Sequence, residues 1–464
     1  MLKNYNCIAA ISSPPGKGGV AIIRVSGEDA LALAAEVFYP ASKKSFTEAK
    51  PRMQTYGYIV ENGERIDDVL ATYFPSPNSY TGEDIVEIAC HGGVLVTSLV
   101  LEAILKKGAR HAEAGEFTRR AFINGKLSLT EAEAIGNLLE AESREQVKLS
   151  STASRHSLSV AITEIRQSIT SVMSSIYARI DYPDEDLGDF TDDEVKEKLL
   201  EIKSKASALQ RTYRTGKAIS QGVKTVIVGK PNVGKSSLYN AIIGEDKAIV
   251  TDIAGTTRDV LSESIPMGRV MLRISDTAGI RDKNGIDLVE SIGIERSEKM
   301  LQESELIFAI FDLSREFDEE DERLIASIKQ ASGAKIAILN KSDLEKKLDE
   351  SRLGDSFVEK VYLSAKNDGF DISDKLGNLV DKLFTDEKII VGNGAVISSA
   401  RQNASLTRAI EAIEIALENL DMGFSQDLVS SDIERALEAI GELDGRSASE
   451  EIVADIFSKF CVGK

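Results

Sequence analysis

Apolar residues fall in two rhythms along the chain. Up to about residue 120 they come in short runs. Ile8 to Ile11, Val20 to Val25, Met53 to Val60, Val69 to Phe74 and Ile85 to Ala89 predict strands. Ala30 to Val37 and Val94 to Lys107 predict helices, the second closed by Gly108. No crossover rhythm of a parallel sheet runs through this segment, so it is expected to be α+β. From Ser128 the spacing changes. Ser128-Leu129-Thr130-Glu131 is a capping box, and apolar residues then recur at helical spacing toward Ile180, until Pro183 stops the run. The acidic stretch Asp181 to Glu194 reads as a solvated turn, and Thr191 with Glu194 caps a further helix that ends near Gly216. Buried-strand runs return at Val226 to Val228, Lys335 to Leu339 and Val361 to Leu363. After residue 385 the pattern is helical again, over Val396 to Leu420 and Leu428 to Phe460.

These changes predict four segments: 1–120 (α+β), 121–216 (helical), 217–385 (α/β) and 386–464 (helical). Helices with wide apolar faces need each other for burial, so the 217–385 domain is expected to be inserted into one helical domain whose halves pack together. The length of 464 residues allows each domain its own core. No apolar run reaches the ~18 residues of a membrane span, and the start lacks a signal peptide's long apolar region. Cys7, Cys90 and Cys461 lie too far apart for a disulfide framework or a zinc site. A cytoplasmic chain with no membrane partner is the expectation. The net charge of −19 argues against a broad basic surface for phosphate backbones. With no tryptophan and 6% aromatics, stacking platforms are scarce, so any RNA contact must be local or supplied by a partner.

Chemistry concentrates in the 217–385 segment. Gly229 and Gly234 bracket four residues before Lys235 and Ser236, which fills G-x-x-x-x-G-K-[ST] between a strand and a helix running from Ser236 to Ile243. Such a turn lets backbone N–H groups of Asn232, Val233, Gly234, Lys235, Ser236 and Ser237 converge on phosphate, helped by the helix N-terminus. Lys235 would reach the β- and γ-phosphates, and the Ser236 hydroxyl would coordinate Mg²⁺. Asn340-Lys341-Ser342-Asp343 at a strand end suits guanine, whose N1–H and 2-amino group one carboxylate can accept together; Asp343 therefore selects GTP over ATP. Ser364-Ala365-Lys366 fits a backbone contact to the guanine oxygen. Between these lie two segments expected to sense the γ-phosphate. Thr251-Asp252-Ile253-Ala254-Gly255-Thr256-Thr257 offers Thr257 to Mg²⁺, and Asp276-Thr277-Ala278-Gly279 offers a carboxylate and a backbone N–H. The position where many GTPases carry a water-orienting glutamine is Ile280, so another group must act; Arg281, Asp282, Asp287 and Glu290 are the nearby charged candidates.

The whole chain resembles the MnmE (TrmE) family of tRNA modification GTPases, a branch of the translation-factor-related GTPases. The likeness is carried by SSPPGKGGVAIIRVSG, PNSYTGEDIVEIACHGG, GEFTRRAFINGKLSLTEAEAI, the segments above and the terminal Cys461-Val462-Gly463-Lys464. It implies an N-terminal α+β folate-binding domain, a helical domain and an inserted Ras-like P-loop GTPase domain. It implies K⁺-stimulated hydrolysis on dimerisation of two GTPase domains, with K⁺ held by Asn232, Thr251, Ile253 and Thr256, and with Glu290 positioning the attacking water. It further implies that Arg24, Glu87, Lys126 and Lys464 bind 5-formyl- or 5,10-methylenetetrahydrofolate, Arg and Lys suiting its carboxylates and Glu87 its amino-pteridine edge. One departure is Ser13, where the family often has threonine.

By the same resemblance the protein is a homodimer that joins a flavin-containing partner, which brings FAD and NADH, in a heterotetramer. Together they would add an aminomethyl or carboxymethylaminomethyl group to C5 of the wobble uridine of tRNA. Cys461 is open to two roles, a thiol in that chemistry or a buried small residue. Two other functional classes read less well. An RNA-binding assembly GTPase would carry a basic appended domain, whereas the last segment is acidic, with Glu411, Glu414, Glu418, Glu434, Glu438 and Glu442. A membrane GTPase would carry a basic amphipathic anchor.

Overall fold

The structure is a computed structural model that describes residues 7–153, 157–181, 191–243, 263–274, 299–368 and 371–464. It divides into two compact units, Met1–Glu140 with Ala153–Ala206 and Ser405–Lys464, and Ala141–Thr152 with Ser207–Ala404.

In the first unit, strands β1 (Ile8–Ile11), β2 (Val20–Ser26), β3 (Phe38–Pro40), β4 (Thr55–Glu61), β5 (Glu64–Phe74), β6 (Ile85–His91) and β7 (Arg110–His111) form one sheet. Their order is β3-β4-β5-β6-β2-β1-β7, antiparallel except for the β1–β7 pair. Side chains alternate across the sheet. Ile23, Ile59, Val69, Ala71, Val86 and Ile88 point to one face and share a core with Leu33 of the helix Ala30–Ala35 and Ile104 of the helix Val94–Lys106. The other face carries Arg24 opposite Glu87, Glu87 opposite Thr72, and Leu70 opposite Tyr56. β3 and β7 are additions to the expected strands. At three and two residues they are too short to show alternation, and β3 ends in Pro40, which suits an edge.

The capping box before Leu129–Leu139 forms as expected: Glu131 N–H donates to Ser128 Oγ (3.3 Å) and Ser128 N–H donates to Glu131 Oε2 (2.8 Å). The helix Gln426–Asp444 packs along Ser157–Asp181, and Lys203 pairs with Glu414 at 2.8 Å, so the helical halves meet although the second unit lies between them in sequence. The single run expected from Leu428 to Phe460 is broken. Gly445 takes φ +92° where a Cβ would lie 2.6 Å from the Phe122 ring, and Ser449 caps a new helix, Glu450–Ser458. Phe457 and Phe460 from its end bury against Leu129 and Ala132, and Val462 bridges to Ala114.

In the second unit, β8 (Val223–Gly229), β9 (Glu263–Met267), β10 (Val270–Ile274), β11 (Leu306–Asp312), β12 (Ala334–Asn340) and β13 (Glu359–Tyr362) make a sheet ordered β13-β12-β11-β8-β10-β9. All neighbours are parallel except β9 with β10. β9 and the central, wholly buried β11 are further additions to the expected strands. The architecture is thus α/β plus α with an α+β N-terminal part. Parallel pairing places the carboxyl ends of β8, β12 and β13 on one edge, where ligands of such sheets bind.

Truncating Phe457, only 2% exposed, removes the centre of the cluster that joins the last helix to Leu129–Leu139. Phe457→Ala should cost this unit about 3–5 kcal/mol, read as a lowered urea midpoint; an unchanged midpoint would show that the tail contributes no such core.

Candidate functional site

The loop after β8 is shaped by two left-handed residues, Asn232 (φ +64°) and Gly234 (φ +106°). Between them Val233 is buried and anchors the loop in the core with Leu238 and Tyr239. The helix Lys235–Ile243 starts at once, Leu238 N–H donating to Gly234 O at 2.9 Å. Asn232, Ser236 and Ser237 are exposed around the opening, and Lys235 Nζ donates to the carbonyls of Gly229 and Lys230, both at 2.8 Å. A lysine ammonium held over a glycine turn that opens a helix is the chemistry of a polyphosphate site.

Asn340, at the end of β12, joins this loop to the next. Its Nδ2 donates to Val233 O (2.7 Å) and its Oδ1 accepts from Ala365 N–H (2.9 Å), with the side chain 3% exposed. The same Nδ2 lies 2.1 Å from where a Cβ on residue 234 would sit, so only glycine fits there. Lys341 (φ +63°) pairs with Asp312 at 2.5 Å. Burial pushes the Asp312 carboxyl up, but hydrogen bonds from Lys341 and Ser314 outweigh it and hold the group below its ordinary value. Ser342 N–H donates to Leu363 O (3.2 Å), leaving Asp343 exposed at the rim. Ser364 is buried, with its N–H on Asp368 Oδ2 (2.8 Å) and its Oγ without a hydrogen-bond partner among the described residues; Lys366 is exposed. Thr251, Asp252, Ile253, Ala254, Gly255, Thr256, Thr257, Asp276, Thr277, Ala278, Gly279 and Glu290 lie outside the described residues.

Lys230 was not singled out from the sequence. Its Nζ stands 2.7 Å from both Asp318 and Asp321, the two residues of the capping box that opens the helix Glu319–Gln330. Burial lowers the Lys230 pKa, and the two carboxylates more than reverse this, so the ammonium is held above its ordinary value. The capping box is legible in Asp318-Glu319-Glu320-Asp321, but a partner 88 residues upstream leaves no local pattern.

In the first unit a second group of polar side chains converges. Arg24 Nε donates to Glu87 Oε1 (2.9 Å), and its guanidinium lies 5.5 Å from the Tyr80 ring centre and 5.6 Å from that of Phe117. The tail delivers Lys464 to the same place. Ser12 Oγ donates to Gly463 O (2.9 Å), and Gly463 (φ +98°) presses so close that a Cβ would lie 2.2 Å from Ile11 O. Burial, then the charge of Arg24, push the Lys464 ammonium below the ordinary lysine value. Lys126 is exposed and donates to Pro77 O of the 75–84 loop at 3.0 Å. Cys461 is exposed, which excludes the buried-residue role for it. Tyr80 and Phe117 had not been singled out; both sit inside motifs quoted above, PNSYTGED and GEFTRR.

Among the described residues, no helix is long and apolar enough to cross a membrane. Residues 7–126 match the family model described as GTP-binding protein TrmE N-terminus, and residues 129–461 match the MnmE helical domain. The chain is 40% identical over 462 residues to a tRNA modification GTPase MnmE of Clostridioides difficile (strain 630), covering 98% of this chain and 99% of that one. It is 38% identical over 465 residues to one of Streptococcus pyogenes serotype M5 (strain Manfredo), covering 100% and 99%. A solved structure of an Era variant from Aquifex aeolicus, bound to GDP and aluminium fluoride, overlaps 41% of this chain and 66% of its own at 23% identity and TM-score 0.26.

Lys230→Met leaves Asp321, 3% exposed, without its cation. The variant should lose about 2 kcal/mol of stability and release bound GDP faster, by thermal melts and stopped-flow fluorescence; wild-type values in both would remove Lys230 from the support of the loop.

Proposed function

Because the chain belongs to the MnmE family of tRNA modification GTPases, and is thereby a GTP hydrolase, we propose that it spends GTP on a one-carbon transfer to tRNA. In this reading it acts in the cytoplasm as a homodimer with a flavin-containing partner that brings FAD and NADH. The pair installs an aminomethyl or carboxymethylaminomethyl group on C5 of the wobble uridine. The framework is the division 1–120, 121–216, 217–385 and 386–464.

The observation that carries the reading is the convergence of Arg24, Glu87 and Lys464 beside Tyr80 and Phe117. This donor set fits 5-formyl- or 5,10-methylenetetrahydrofolate: cations for its carboxylates, a carboxylate for its amino-pteridine edge, and aromatic rings for its flat body. Lys126, which holds the 75–84 loop at Pro77, is the fourth residue assigned to the folate. The folate supplies the one-carbon unit when bound, while this chain's residues orient it. Exposed Cys461, on the tail that carries Lys464, is the thiol assigned to that chemistry in this reading.

In the second unit, Asn232, Val233, Gly234, Lys235, Ser236 and Ser237 hold the phosphates, and Asn340, Lys341, Ser342, Asp343, Ser364, Ala365 and Lys366 hold the base, Asp343 accepting from guanine. Ser236 and Thr257 suit Mg²⁺, with Thr251 to Thr257 and Asp276 to Gly279 reporting the γ-phosphate. Asn232, exposed in its left-handed turn, would offer its side-chain oxygen to K⁺, with Thr251, Ile253 and Thr256 completing the shell. A cation there would offset developing negative charge, as an arginine finger does for roughly 10³–10⁵ in rate. Glu290 takes the water-orienting role that Ile280 cannot.

Nucleoside analysis of tRNA from cells lacking this protein tests the reading. The C5-modified wobble uridine should disappear, return with the wild-type chain, and stay absent with Arg24→Ala. Full modification without the protein would overturn it.

A further inference from the structure

We propose that the β3–β4 edge of the N-terminal sheet is a contact surface for an unpaired loop of tRNA. This rests on the reading that tRNA is the substrate and adds where the chain itself would touch it. On the sheet face opposite the helices, Tyr39 and Tyr58 are cross-strand partners with ring centres 6.5 Å apart and planes within 10° of parallel. Arg65, paired with Asp68, lays its guanidinium 4.7 Å from the Tyr58 ring centre. Tyr56, on the same face, is 54% exposed, and Tyr39 is 48% exposed. In a chain with no tryptophan and eleven tyrosines, three of them share this one edge, two of them about half exposed. Tyr58 carries Arg65 and Tyr56 donates to Asp68 Oδ2 (3.4 Å), yet Tyr39 and Tyr56 keep ring surface exposed, and every nucleobase has a face to offer it.

Charge selects the occupant. The segment joining β3 to β4 holds Lys43, Lys44, Lys50 and Arg52, all exposed, against the single carboxylate Glu48, although the chain as a whole carries −19. Among the described residues, none of the three lysines has an ion-pair partner. A polyanion with exposed planar bases meets both features. A base-paired stem meets only the lysines, because its base faces are covered; unpaired loops are what aromatic sheet faces read.

Position links the patch to the chemistry. Arg52 N–H donates to Tyr73 O (2.8 Å), and the Arg52 guanidinium donates to Asn78 O (2.9 Å). The 75–84 loop thus has Arg52 on it at Asn78 and, two residues on, Tyr80 beside Arg24. An RNA loop held on the tyrosines is therefore one loop of protein away from the Arg24–Glu87–Lys464 group.

The test is fluorescence anisotropy of a labelled tRNA anticodon stem-loop with the full chain, set against an RNA duplex of the same length. Tyr39→Ala/Tyr58→Ala should weaken stem-loop binding about tenfold, Tyr39→Phe/Tyr58→Phe should restore it, and duplex binding should move little. Lys43→Glu/Lys44→Glu, on an exposed turn, should lower the salt slope of log K by about 1.4, about 0.7 for each phosphate that the lysines neutralise. GTP hydrolysis should stay at the wild-type rate in all of them. Unchanged stem-loop affinity in the tyrosine and lysine variants overturns the surface and leaves the modification reading standing. No binding by the wild-type chain overturns both. Weaker binding accompanied by loss of self-association in sedimentation assigns the edge to a second copy of the chain and also overturns the proposal.

Discussion

One buried amide holds the second unit's loops in register. A carboxamide in the interior must use its donor and its acceptor or lose the hydrogen bonds that water would have given it. Asn340 uses both, the donor on Val233 O and the acceptor on Ala365 N–H. It can reach both loops because β8, β12 and β13 run parallel and end on one edge of the sheet. Fixing Val233 O also fixes the flanking turns at Asn232 and Gly234, where the backbone has crossed to positive φ. Gly234 and Asn340 are thus a matched pair, since any side chain at 234 would strike the amide. The ammonium of Lys230 braces the same loop from outside, against the capped end of Glu319–Gln330.

The first unit obeys a different constraint, the docking of the chain's tail on its own first strand. Gly463 fits against Ile11 only because it lacks a Cβ, and Phe457 and Phe460 bury the turn that leads into it. This contact requires the two helical halves to come together, so the insertion of the α/β domain and the arrival of Lys464 beside Arg24 are one architectural fact. Partial burial next to Arg24 weakens the hold of Lys464 on its proton. An arriving anion would restore that proton's stability.

Much of this was legible beforehand. The phosphate loop follows from glycine spacing between a strand and a helix, and the Ser128 capping box and the alternation in β2 and β6 are local patterns that the structure repeats. What escaped was either too short or too distant. β3 and β7 have no room for a period, and β11, apolar up to Asp312, has a periodicity that a buried helix segment would share. The break at Gly445 is imposed by Phe122, more than 300 residues earlier in the chain. Lys230 with Asp318, and Tyr39 with Tyr58, are partnerships made by the fold. The scarcity of aromatics was read correctly from composition, but composition says nothing about three of them sharing an edge.

The central claim is that the Asn340 amide couples the phosphate loop to the loops proposed to read the base. Stopped-flow release of a fluorescent GDP from the Asn340→Ala chain tests it most directly. Losing two buried hydrogen bonds and stranding their partners should speed release by about tenfold or more, with far-UV signal and fold retained. Release at the wild-type rate would contradict the account.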